Sequence, residues 1–586
     1  MDFLNDSVGL KVGRRITVQV AAVSLCAGIF AFIAKLAFQY AGFKHASALA
    51  IVSAIVILEV FVSLSELMLR GFTCDYVPKV KNYDESGLPD SSKVVIAVPV
   101  QLHSMEQIEA VVETAAWNVR MANDSNVFLV ILSDFPDRFR DFQDPDEYAL
   151  FEKLSKRVDE INYELDSRYG KSIHIIHRPL TWIDSENCWM GSERKRGKIR
   201  LINDLILSRG CHDVEVSSDL MDRLIQVKYV LCLDEDNKLT PNTVQRLAGL
   251  LDHPSNSPGI DGKGVASGNG IAVCQLITEQ SSASRWRFSR ALAGATIVPH
   301  RQPYPVGNFL CDWLGQAKYN GKGMYDPRVY DVVCRGLPDE VILSHDTVEG
   351  AYLRAGFVPH TAITEHIPSS HRSILARTER WIRGDVQNIA LVLAGFIGRD
   401  FSKKLPKMSL VGIYFIFYQA IPLASVLLAF PLAATLMLQS SRFSPVFAFL
   451  IFAIGSYFRV LENISRDVNR LTWTQALDIY PAYLGRIHVA IMHRLIIAPG
   501  VFFAAFGGAF LACWRLVRGK RLLKWRSMAL VDANQGSSGL LIWPSFVFCF
   551  GILVFGMLRG LSPLNLVVIS MWCLLPLADK IFLAKE

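Results

Sequence analysis

Paired cysteines are missing from this 586-residue chain, whose 11 Cys residues are scattered singly with no C-x-x-C spacing. Since that spacing is the usual sign of a zinc site or a thioredoxin-type redox site, the sequence predicts neither. No Walker A pattern G-x-x-x-x-G-K-[ST] occurs, which argues against a P-loop ATPase. A strong charge of one sign is also lacking. With 61 Lys and Arg against 54 Asp and Glu, the net charge of +7 is too small to indicate nucleic-acid binding.

Apolar residues, by contrast, are abundant. They make up 51% of the chain, which includes 34 Phe, 17 Tyr and 11 Trp, and the mean hydropathy is +0.27. This composition excludes intrinsic disorder and argues against a purely soluble protein. A helix that crosses a bilayer needs about 20 predominantly apolar residues. Candidate runs lie at 16–40, 48–69, 409–438, 444–460, 538–558 and 563–584.

These runs divide the chain into three predicted parts: a two-span segment at 1–70, a large polar domain at 71–400 and a second membrane bundle at 401–586. Three basic residues precede the first span and Arg70 follows the second. Because basic residues favour the cytoplasmic side, we expect the polar domain and both termini in the cytoplasm. The chain is therefore predicted to be a multi-pass membrane protein with the lipid bilayer as a partner.

The segment 471–519 is harder to place, because its apolar run at 495–513 has basic residues on both sides. A single crossing would put one of the basic clusters outside. The sequence therefore favours interfacial helices or a re-entrant element at the inner face, with a cytoplasmic basic loop at 515–535. That arrangement leaves about six transmembrane helices. A seventh span is the alternative.

Within the polar domain, short β-branched runs alternate with stretches of helical period. The predicted strands are 93–100, 127–133, 173–177, 228–233 and 271–275, and the predicted helices are 106–120, 147–169 and 198–208. This alternation predicts an open, mostly parallel α/β sheet. In such sheets, ligands bind beyond the carboxyl ends of the strands.

Acidic residues follow two of these strands. Asp134 ends one strand, and another runs into Asp234, Glu235 and Asp236. In extended backbone, residues two apart face the same side, so Asp234 and Asp236 are predicted to converge while Glu235 points away. Two carboxylates suit Mg²⁺ or Mn²⁺ bridging a diphosphate. A solvated acidic turn is the alternative explanation.

A basic cluster at 189–198 places four cations in five residues just before a helical stretch. Helix N-termini disfavour cations and attract anions, so a bound phosphate explains the cluster better than helix stability does. The alternative is a solvated basic loop.

Three further motifs follow at 319–326, 344–350 and 377–385. Asp346 lies beside His345 and precedes Glu349 by three residues, an arrangement suited to a general base. Arg380 and Arg383 are three apart on a predicted helix and are expected to address one anion. Trp381 offers a flat face for a sugar ring, although buried tryptophan is more often plain core.

Taken in order, these motifs resemble the processive family 2 glycosyltransferases typified by cellulose synthase. The segments W-M-G-x-E-R-K-R-G-K, Y-N-G-K-G-M-Y-D, L-S-H-D-x-x-E-G and R-W-I-R-G-D are more similar to the glucosyltransferase module, family 84, of cyclic β-1,2-glucan synthases. The segment R-L-L-K-W at 521–525 resembles their L-L-E-W element. The resemblance covers roughly 90–390 well and the membrane region loosely.

The resemblance implies a GT-A-like domain that performs an inverting, metal-dependent and processive transfer from UDP-glucose to a growing β-glucan acceptor. It also implies extrusion through the chain's own membrane channel, in a bacterial inner membrane. The implied catalytic residues are Asp346, His345 and Glu349, and the metal ligands for Mg²⁺ or Mn²⁺ are Asp236 and Asp234. The implied donor-binding residues are Asp134, Glu193, Lys195, Arg196, Lys198, Asp234, Arg377, Arg380 and Arg383. The implied acceptor-binding residues are Trp381, Tyr325 and Asp326, with a gating loop at Lys524 and Trp525.

Two departures leave the linkage open between β-1,2, which the resemblance favours, and β-1,3. The chain has Ser344-His345-Asp346 where cellulose synthases have T-E-D, and Arg377 where they have Gln. One alternative function is a non-processive membrane transferase that acts on a lipid or a short acceptor. An alternative of another class is a transporter or channel with a nucleotide-binding cytoplasmic domain.

Overall fold

A computed structural model describes residues 2–69, 78–84, 86–139, 145–169, 172–210, 214–279, 289, 309–368, 370–397, 405–439, 441–467, 473–524 and 539–577. Its helices are α1 Asp2–Tyr40, α2 Ala46–Val56, α3 Leu58–Leu69, α4 Met105–Ala122, α5 Pro145–Tyr169, α6 Arg194–Ile206, α7 Ser218–Leu224, α8 Thr243–Asp252, α9 Phe309–Leu314, α10 Pro327–Cys334, α11 His345–Leu353, α12 His371–Ile397, α13 Leu410–Tyr418, α14 Ala420–Leu438, α15 Ser444–Asp467, α16 Trp473–Arg518, α17 Gly539–Leu558 and α18 Pro563–Trp572.

The strands are β1 Val94–Gln101, β2 Val127–Asp134, β3 Ile173–His177, β4 Thr181–Ile183, β5 Cys188–Met190, β6 Tyr229–Cys232, β7 Lys238–Leu239, β8 Gly259–Asp261, β9 Gly264–Ser267, β10 Ile271–Thr278, β11 Gly323–Tyr325 and β12 Ala355–Glu365. All five strands predicted from sequence are present. Their continuous apolar runs suit strands with both faces covered, and every residue of β2 is buried.

Eight strands form the central sheet, in the order β3-β2-β1-β6-β11-β10-β12-β7. Strands β3, β2, β1 and β6 are mutually parallel. Strand β11 runs antiparallel to both of its neighbours, and β7 runs antiparallel to β12. The predicted α/β domain is confirmed, but its sheet is mixed rather than mostly parallel.

Two hydrophobic cores lie on the two faces of this sheet, and β1 contributes alternate residues to them. Val95 and Ala97 pack with residues of α6, α7, α10 and α11, while Val94, Ile96 and Val98 pack with residues of α4, α5 and α8. Burying each large apolar side chain is worth about 1.5–3 kcal/mol before the entropy of folding is subtracted. These cores fix the strand ends on which the charged motifs lie.

Three apolar helices are long enough to cross a membrane: Gly13–Tyr40, Leu410–Leu438 and Ile487–Arg518. The pair Ala46–Val56 and Leu58–Leu69, predicted as one span, is bent by 60° and would make a fourth. The other apolar helices, at Ser444–Gly455, Ile542–Leu558 and Pro563–Trp572, have fewer than 18 residues within the described ranges. Several helices therefore suit a membrane, and the count of six stays a prediction.

Helix α16 is unbroken over 46 residues, which differs from the predicted re-entrant element. Its part at 487–518 is itself apolar and long enough to span. The basic residues Arg515 and Arg518 lie in its last turn, where cations favour a helix C-terminus. The seventh-span alternative therefore gains support, while an interfacial placement stays a prediction. Of the predicted basic loop, 525–535 lies outside the described residues.

Two glycines let helix α12 pack closely on its neighbours. A methyl group at Gly508 of α16 would lie 2.5 Å from the carbonyl oxygen of Glu379. A methyl group at Gly384 of α12 would overlap Ser344 Oγ and lie 2.8 Å from Ser344 Cβ. Asn388 Nδ2 also donates to the Ser344 carbonyl at 2.9 Å. Helix α12 is thereby held between the apolar helix α16 and Ser344, which directly precedes His345 and Asp346.

Candidate active site

The acidic motif after β6 is a turn, not the extended backbone predicted. Asn237 N donates to the Asp234 carbonyl at 3.1 Å, and its side-chain oxygen accepts from Asp234 N at 2.8 Å. Glu235 points away, as predicted. Its carboxyl accepts from Gln107 Nε2 at 2.6 Å, and burial raises its pKa to about 7. Asp234 and Asp236 stay close enough for the charge of Asp234 to raise the pKa of Asp236.

Two lysines neutralise Asp234. Lys195 Nζ contacts Oδ1, and Lys322 Nζ lies 2.8 Å from Oδ2. Burial alone would raise the pKa of Asp234, but the two ammonium groups outweigh it and hold the pKa well below its usual range. Burial likewise opposes the charge of Lys195 and Lys322, yet the charge of Asp234 raises the pKa of both. The three groups are therefore charged at neutral pH.

Asp236 differs from Asp234, because no ion pair to it occurs among the described residues. Its Oδ2 accepts from His366 N at 3.2 Å. Burial first, and then the charge of Asp234, raises the pKa of its carboxyl. A cation beside Asp236 would relieve both effects. No group of three or more His, Cys, Asp or Glu suited to a metal occurs in the described part of the chain. A metal ion at Asp236 therefore stays a prediction, and Mg²⁺ or Mn²⁺ there would have to take most of its ligands from phosphate and water.

Asp346 lies in the first turn of α11 and faces the same cluster. A methyl group at Gly321 would lie 3.4 Å from both Asp346 Oδ2 and Lys195 Nζ, so these two atoms share one neighbour. Gly321 has φ +78°, a conformation that favours glycine, and its carbonyl accepts from Lys195 Nζ at 3.0 Å. The charge of Asp346 also acts on Lys195 and Arg380.

Helix α12 adds two guanidinium groups and an exposed ring. Burial lowers the pKa of Arg377 and Arg380, and the charge of Asp234 opposes that effect at both residues. Arg377 lies 4.0 Å above the ring of Trp381, which is 46% exposed. Arg377 also senses the charge of Asp236. The predicted metal ligand, base and sugar platform therefore belong to one connected site.

Three charged residues that the sequence did not assign belong to this site. Lys322 was visible in the N-G-K-G segment, and Asp385 ends the R-W-I-R-G-D segment. Burial raises the pKa of Asp385 to about 7, against the opposing charge of Lys318. Lys318 is itself a buried amine near Asp346 and Asp385, and burial lowers its pKa. Sequence spacing alone could not identify these residues, because each is brought to the site by tertiary packing.

His345 and Glu349 do not face the cluster in the way that catalytic groups would. Glu349 is fully buried; its Oε1 accepts from Tyr330 Oη at 2.5 Å, and its Oε2 lies 3.1 Å from His345 Nδ1. Burial alone would raise the pKa of Glu349, but His345 outweighs it and the pKa is lowered. Because i and i+4 share a helix face, Glu349 holds His345 inward. The structure shows Glu349 positioning His345, and the catalytic roles of both residues stay predictions.

Asp134 ends β2 as predicted, but both of its oxygens are already engaged. Arg178 Nη2 lies 2.8 Å from Oδ2, and Lys198 Nζ lies 2.5 Å from Oδ1. Burial lowers the pKa of Lys198 to about 8. Arg178, which the sequence analysis missed, also donates to the carbonyls of Ser192 and Arg194. Asp134 and Lys198 therefore order the basic segment through these ion pairs, and their donor-binding role stays a prediction.

The basic cluster does not address one anion, because successive residues of a helix point in different directions. Lys195 faces the acids, whereas Arg196 is buried and donates to the carbonyls of Leu337 and Pro338. Glu193 Oε2 lies 3.2 Å from Arg196, and its Oε1 accepts from the backbone of Glu340. In the structure Glu193 and Arg196 anchor the loop at 337–340, and their donor-binding role stays a prediction.

Tyr325 and Asp326 were predicted to bind the acceptor, and the structure places them toward the opposite end of the strands from the acidic turn. Strand β11 runs antiparallel to β6, so its first residue pairs with Cys232 and its last, Tyr325, with Val230. Tyr325 is fully buried, and Asp326 caps α10 by accepting from Arg328 N at 2.8 Å. Reversal of one strand therefore carries these two residues away from the cluster.

Arg383 turns away from the anion site that it was predicted to share with Arg380. It is buried, pairs with Glu379 Oε1 at 2.9 Å and donates to the Lys524 carbonyl. Burial lowers its pKa to about 10. The backbone of Leu523 is also held, by Arg194 and Glu186 at 2.7 Å each. The segment at 521–524 is therefore docked on the α/β domain beside the site. Trp525 lies outside the described residues.

No protein-family model matches the chain. A search of curated proteins finds similarity to cyclic beta-(1,2)-glucan synthase NdvB of Rhizobium meliloti (strain 1021). The two are 27% identical over 313 residues, which cover 51% of this chain and 11% of that protein. The chain therefore matches only a small part of that relative's length.

Proposed function

We propose that the chain is a membrane glycosyltransferase that builds a β-glucan from UDP-glucose. The transfer inverts the anomeric configuration, and the enzyme is processive: it holds the growing glucan between successive additions. One observation carries the proposal: Asp346, Lys195, Lys322 and the Asp234–Asp236 turn meet around Gly321 beside helix α12. The similarity to a cyclic beta-(1,2)-glucan synthase supports a glucan product, and β-1,2 is favoured over β-1,3.

The cations of the site are suited to the donor diphosphate. Lys195 and Lys322 bind Asp234 in the structure, and an arriving diphosphate would offer the same two ammonium groups a stronger anion. Arg377 and Arg380 are partly desolvated guanidinium groups on the α12 side. Asp236 would hold Mg²⁺ or Mn²⁺, which supplies further neutralisation of charge on the departing UDP.

Asp346 is the proposed general base. From the first turn of α11 it would accept the proton of the acceptor hydroxyl while that oxygen attacks the anomeric carbon. The bond from this carbon to the UDP oxygen breaks on the opposite face, so an α-linked donor gives a β-linked product. Lys195 Nζ and Asp346 Oδ2 lie on the same side of Gly321, so the proposed base stands next to a cation that would contact the diphosphate. Trp381 would stack on the acceptor sugar, because its exposed ring is free on the face away from Arg377.

Helix α12 packs against the apolar helix α16, so a chain that grows at Trp381 starts beside the membrane helices. We propose that the glucan leaves through these helices, with the α/β domain on the cytoplasmic side of a bacterial inner membrane. The docked segment ending at Lys524 is the proposed start of a gating loop.

The test uses the purified full chain with UDP-glucose and Mg²⁺. We expect UDP release with a β-glucan product, and methylation analysis identifies its linkage. Asp346→Asn should lower turnover by about 10²–10⁴-fold, the usual contribution of a general base, with UDP binding retained. Asp326→Asn is the matched control, because Asp326 caps α10 toward the opposite end of the strands from the cluster. Undiminished turnover in Asp346→Asn would remove Asp346 from the mechanism.

Two other functions predict different results in the same assay. A transferase that acts once on a lipid or a short acceptor would give products of one added sugar, which gel filtration separates from a polymer. A transporter or channel with a nucleotide-binding domain would bind UDP-glucose without releasing UDP.

A further inference from the structure

A second polar cleft opens on the α/β domain between α6 and α10, with a volume of about 230 Å³. One water molecule needs only about 10–15 Å³ of such space, so the cleft has room for a small organic ligand. Its charged lining consists of Arg200, Arg335, Asp204, Asp331 and Asp339. None of these residues belongs to the candidate active site.

The charges of this lining alternate in sign. Arg335 Nη2 lies 3.2 Å from Asp204 Oδ1, and Arg335 Nε lies 3.4 Å from Asp331 Oδ1. Arg200 pairs with Asp339, and Arg209, which lies outside the lining, pairs with Asp331 and lies 3.6 Å from Asp204 Oδ1. An anion entering the cleft would meet three carboxylates, and a cation would meet two guanidinium groups. A neutral ligand with hydroxyl groups avoids both penalties, since each hydroxyl can donate to a carboxylate and accept from an arginine.

The floor of the cleft holds an incompletely bonded amide. Asn203 is 3% exposed and lines the cleft. Its Oδ1 accepts from Tyr325 Oη at 3.1 Å, but its Nδ2 has no hydrogen-bond partner among the described residues. A buried donor without a partner is unfavourable, because it has lost its hydrogen bonds to water without replacing them. An acceptor oxygen supplied by a ligand would remove that cost.

The cleft offers no open apolar plane for a nucleobase. Its one aromatic residue, Tyr330, is 4% exposed, and its ring packs 4.7 Å from that of Tyr325. Tyr330 Oη is already committed to Glu349. A nucleobase therefore cannot stack on Tyr330, and the walls of the cleft offer a ligand hydrogen bonds to charged groups of both signs.

We propose that this cleft is a second binding site for a neutral polyhydroxy ligand, a hexose unit or a short neutral oligosaccharide. The ligand's hydroxyls pair with Arg335, Arg200 and the three carboxylates, and one hydroxyl oxygen accepts from Asn203. Because its residues are separate from Asp346 and Trp381, the site binds sugar whether or not the chain transfers glucose.

The test measures sugar binding to the full chain by isothermal titration calorimetry. The protein is held in lipid nanodiscs, because many detergents carry sugar headgroups. The probes are glucose, a β-linked glucose disaccharide and inorganic phosphate. Arg335→Gln should raise the Kd for sugar at least about tenfold, the loss expected for one hydrogen bond to a charged group. Arg335 is 57% exposed, which makes this substitution tolerable for the fold.

Arg328→Gln is the matched control, since Arg328 lies on the same helix with 54% exposure and does not line the cleft. Asp204→Asn is the second cleft variant. We expect sugar binding to persist in Arg328→Gln, in Trp381→Ala and in Asp346→Asn. No saturable binding of either sugar would overturn the proposal. So would binding that survives Arg335→Gln and Asp204→Asn but is lost in Trp381→Ala, or binding of phosphate at the cleft in preference to sugar.

Discussion

A substitution at Gly384 tests whether the close packing of α12 on Ser344, the residue before His345, is needed for activity. In Gly384→Ala, the added methyl would overlap Ser344 Oγ and lie 2.8 Å from Ser344 Cβ. Real Cβ atoms do not approach that closely, so α12 or Ser344 must move. Overpacking of this kind costs typically about 1–3 kcal/mol. If the transition state bears the whole cost, kcat/KM falls about 5-fold to 150-fold.

The steric cause can be separated from a general effect on α12 by a double-mutant cycle. Ser344→Gly removes both overlapping atoms, and the next contact, Ser344 N, lies 3.3 Å away. Ser344 makes no side-chain capping bond to α11, so its own removal should be mild. The double variant should therefore recover most of the activity lost in Gly384→Ala, with an interaction energy of about 1 kcal/mol or more.

Gly395→Ala is the control on the same helix, because among the described residues no heavy atom beyond its own helix turn lies within 4 Å of its Cβ position. We expect it to be neutral or slightly stabilising, since alanine favours a helix by up to about 1 kcal/mol over glycine. UDP release and thermal unfolding are measured on the unaltered chain and on all four variants. Full activity in Gly384→Ala, or no recovery in the double variant, would refute the steric argument.

Two further outcomes are expected. Lys322→Met removes one of the two ammonium groups on Asp234 and should lower kcat/KM for the donor about 10-fold to 150-fold, the value of a charge-assisted hydrogen bond. Lys263→Met, at an exposed turn, is the control and should leave kcat/KM unchanged. Equal effects of the two substitutions would contradict the assignment of Lys322 to the site. Because burial raises the pKa of Asp385 to about 7, the folded chain keeps a proton that the unfolded chain loses near pH 4, so stability should fall as pH rises from about 4 to about 7 and then level off. Asp385→Asn should flatten this fall in thermal unfolding scans, while the exposed Asp90→Asn should leave it unchanged.

Local patterns were sufficient for much of the α/β domain. The apolar runs at 94–101 and 127–134 have few ways to bury their surface except as covered strands, and both are. The position of Asp234 after such a strand followed directly. The orientation of the side chains around the turn could not be predicted in this way. Asn237 closes the acidic motif into a turn through two hydrogen bonds, and the alternation of side chains along a strand does not predict them.

Long-range pairing explains the remaining differences. Whether a cation in the basic cluster meets an anion from outside or a carboxylate of its own chain depends on residues far away in sequence, such as Arg178 and Asp134. The same holds for Arg383, whose partner is the Lys524 backbone. Charged residues are seldom buried without partners, so a motif rich in charge leaves open which of its members are structural.

The amino-acid sequence alone determined that apolar segments flank an α/β domain and which short motifs carry its acids, bases and aromatic platform, because composition and periodicity are local properties. Only the tertiary structure decided that β11 is antiparallel to its neighbours. This direction brings Lys322 to Asp234 and places Tyr325 toward the opposite end of the strands. It also decided that Glu349 and Arg196 serve the interior while Asp346 faces the cluster. The physical reason is that strand direction and ion pairing are settled by packing between distant segments, which no local pattern encodes.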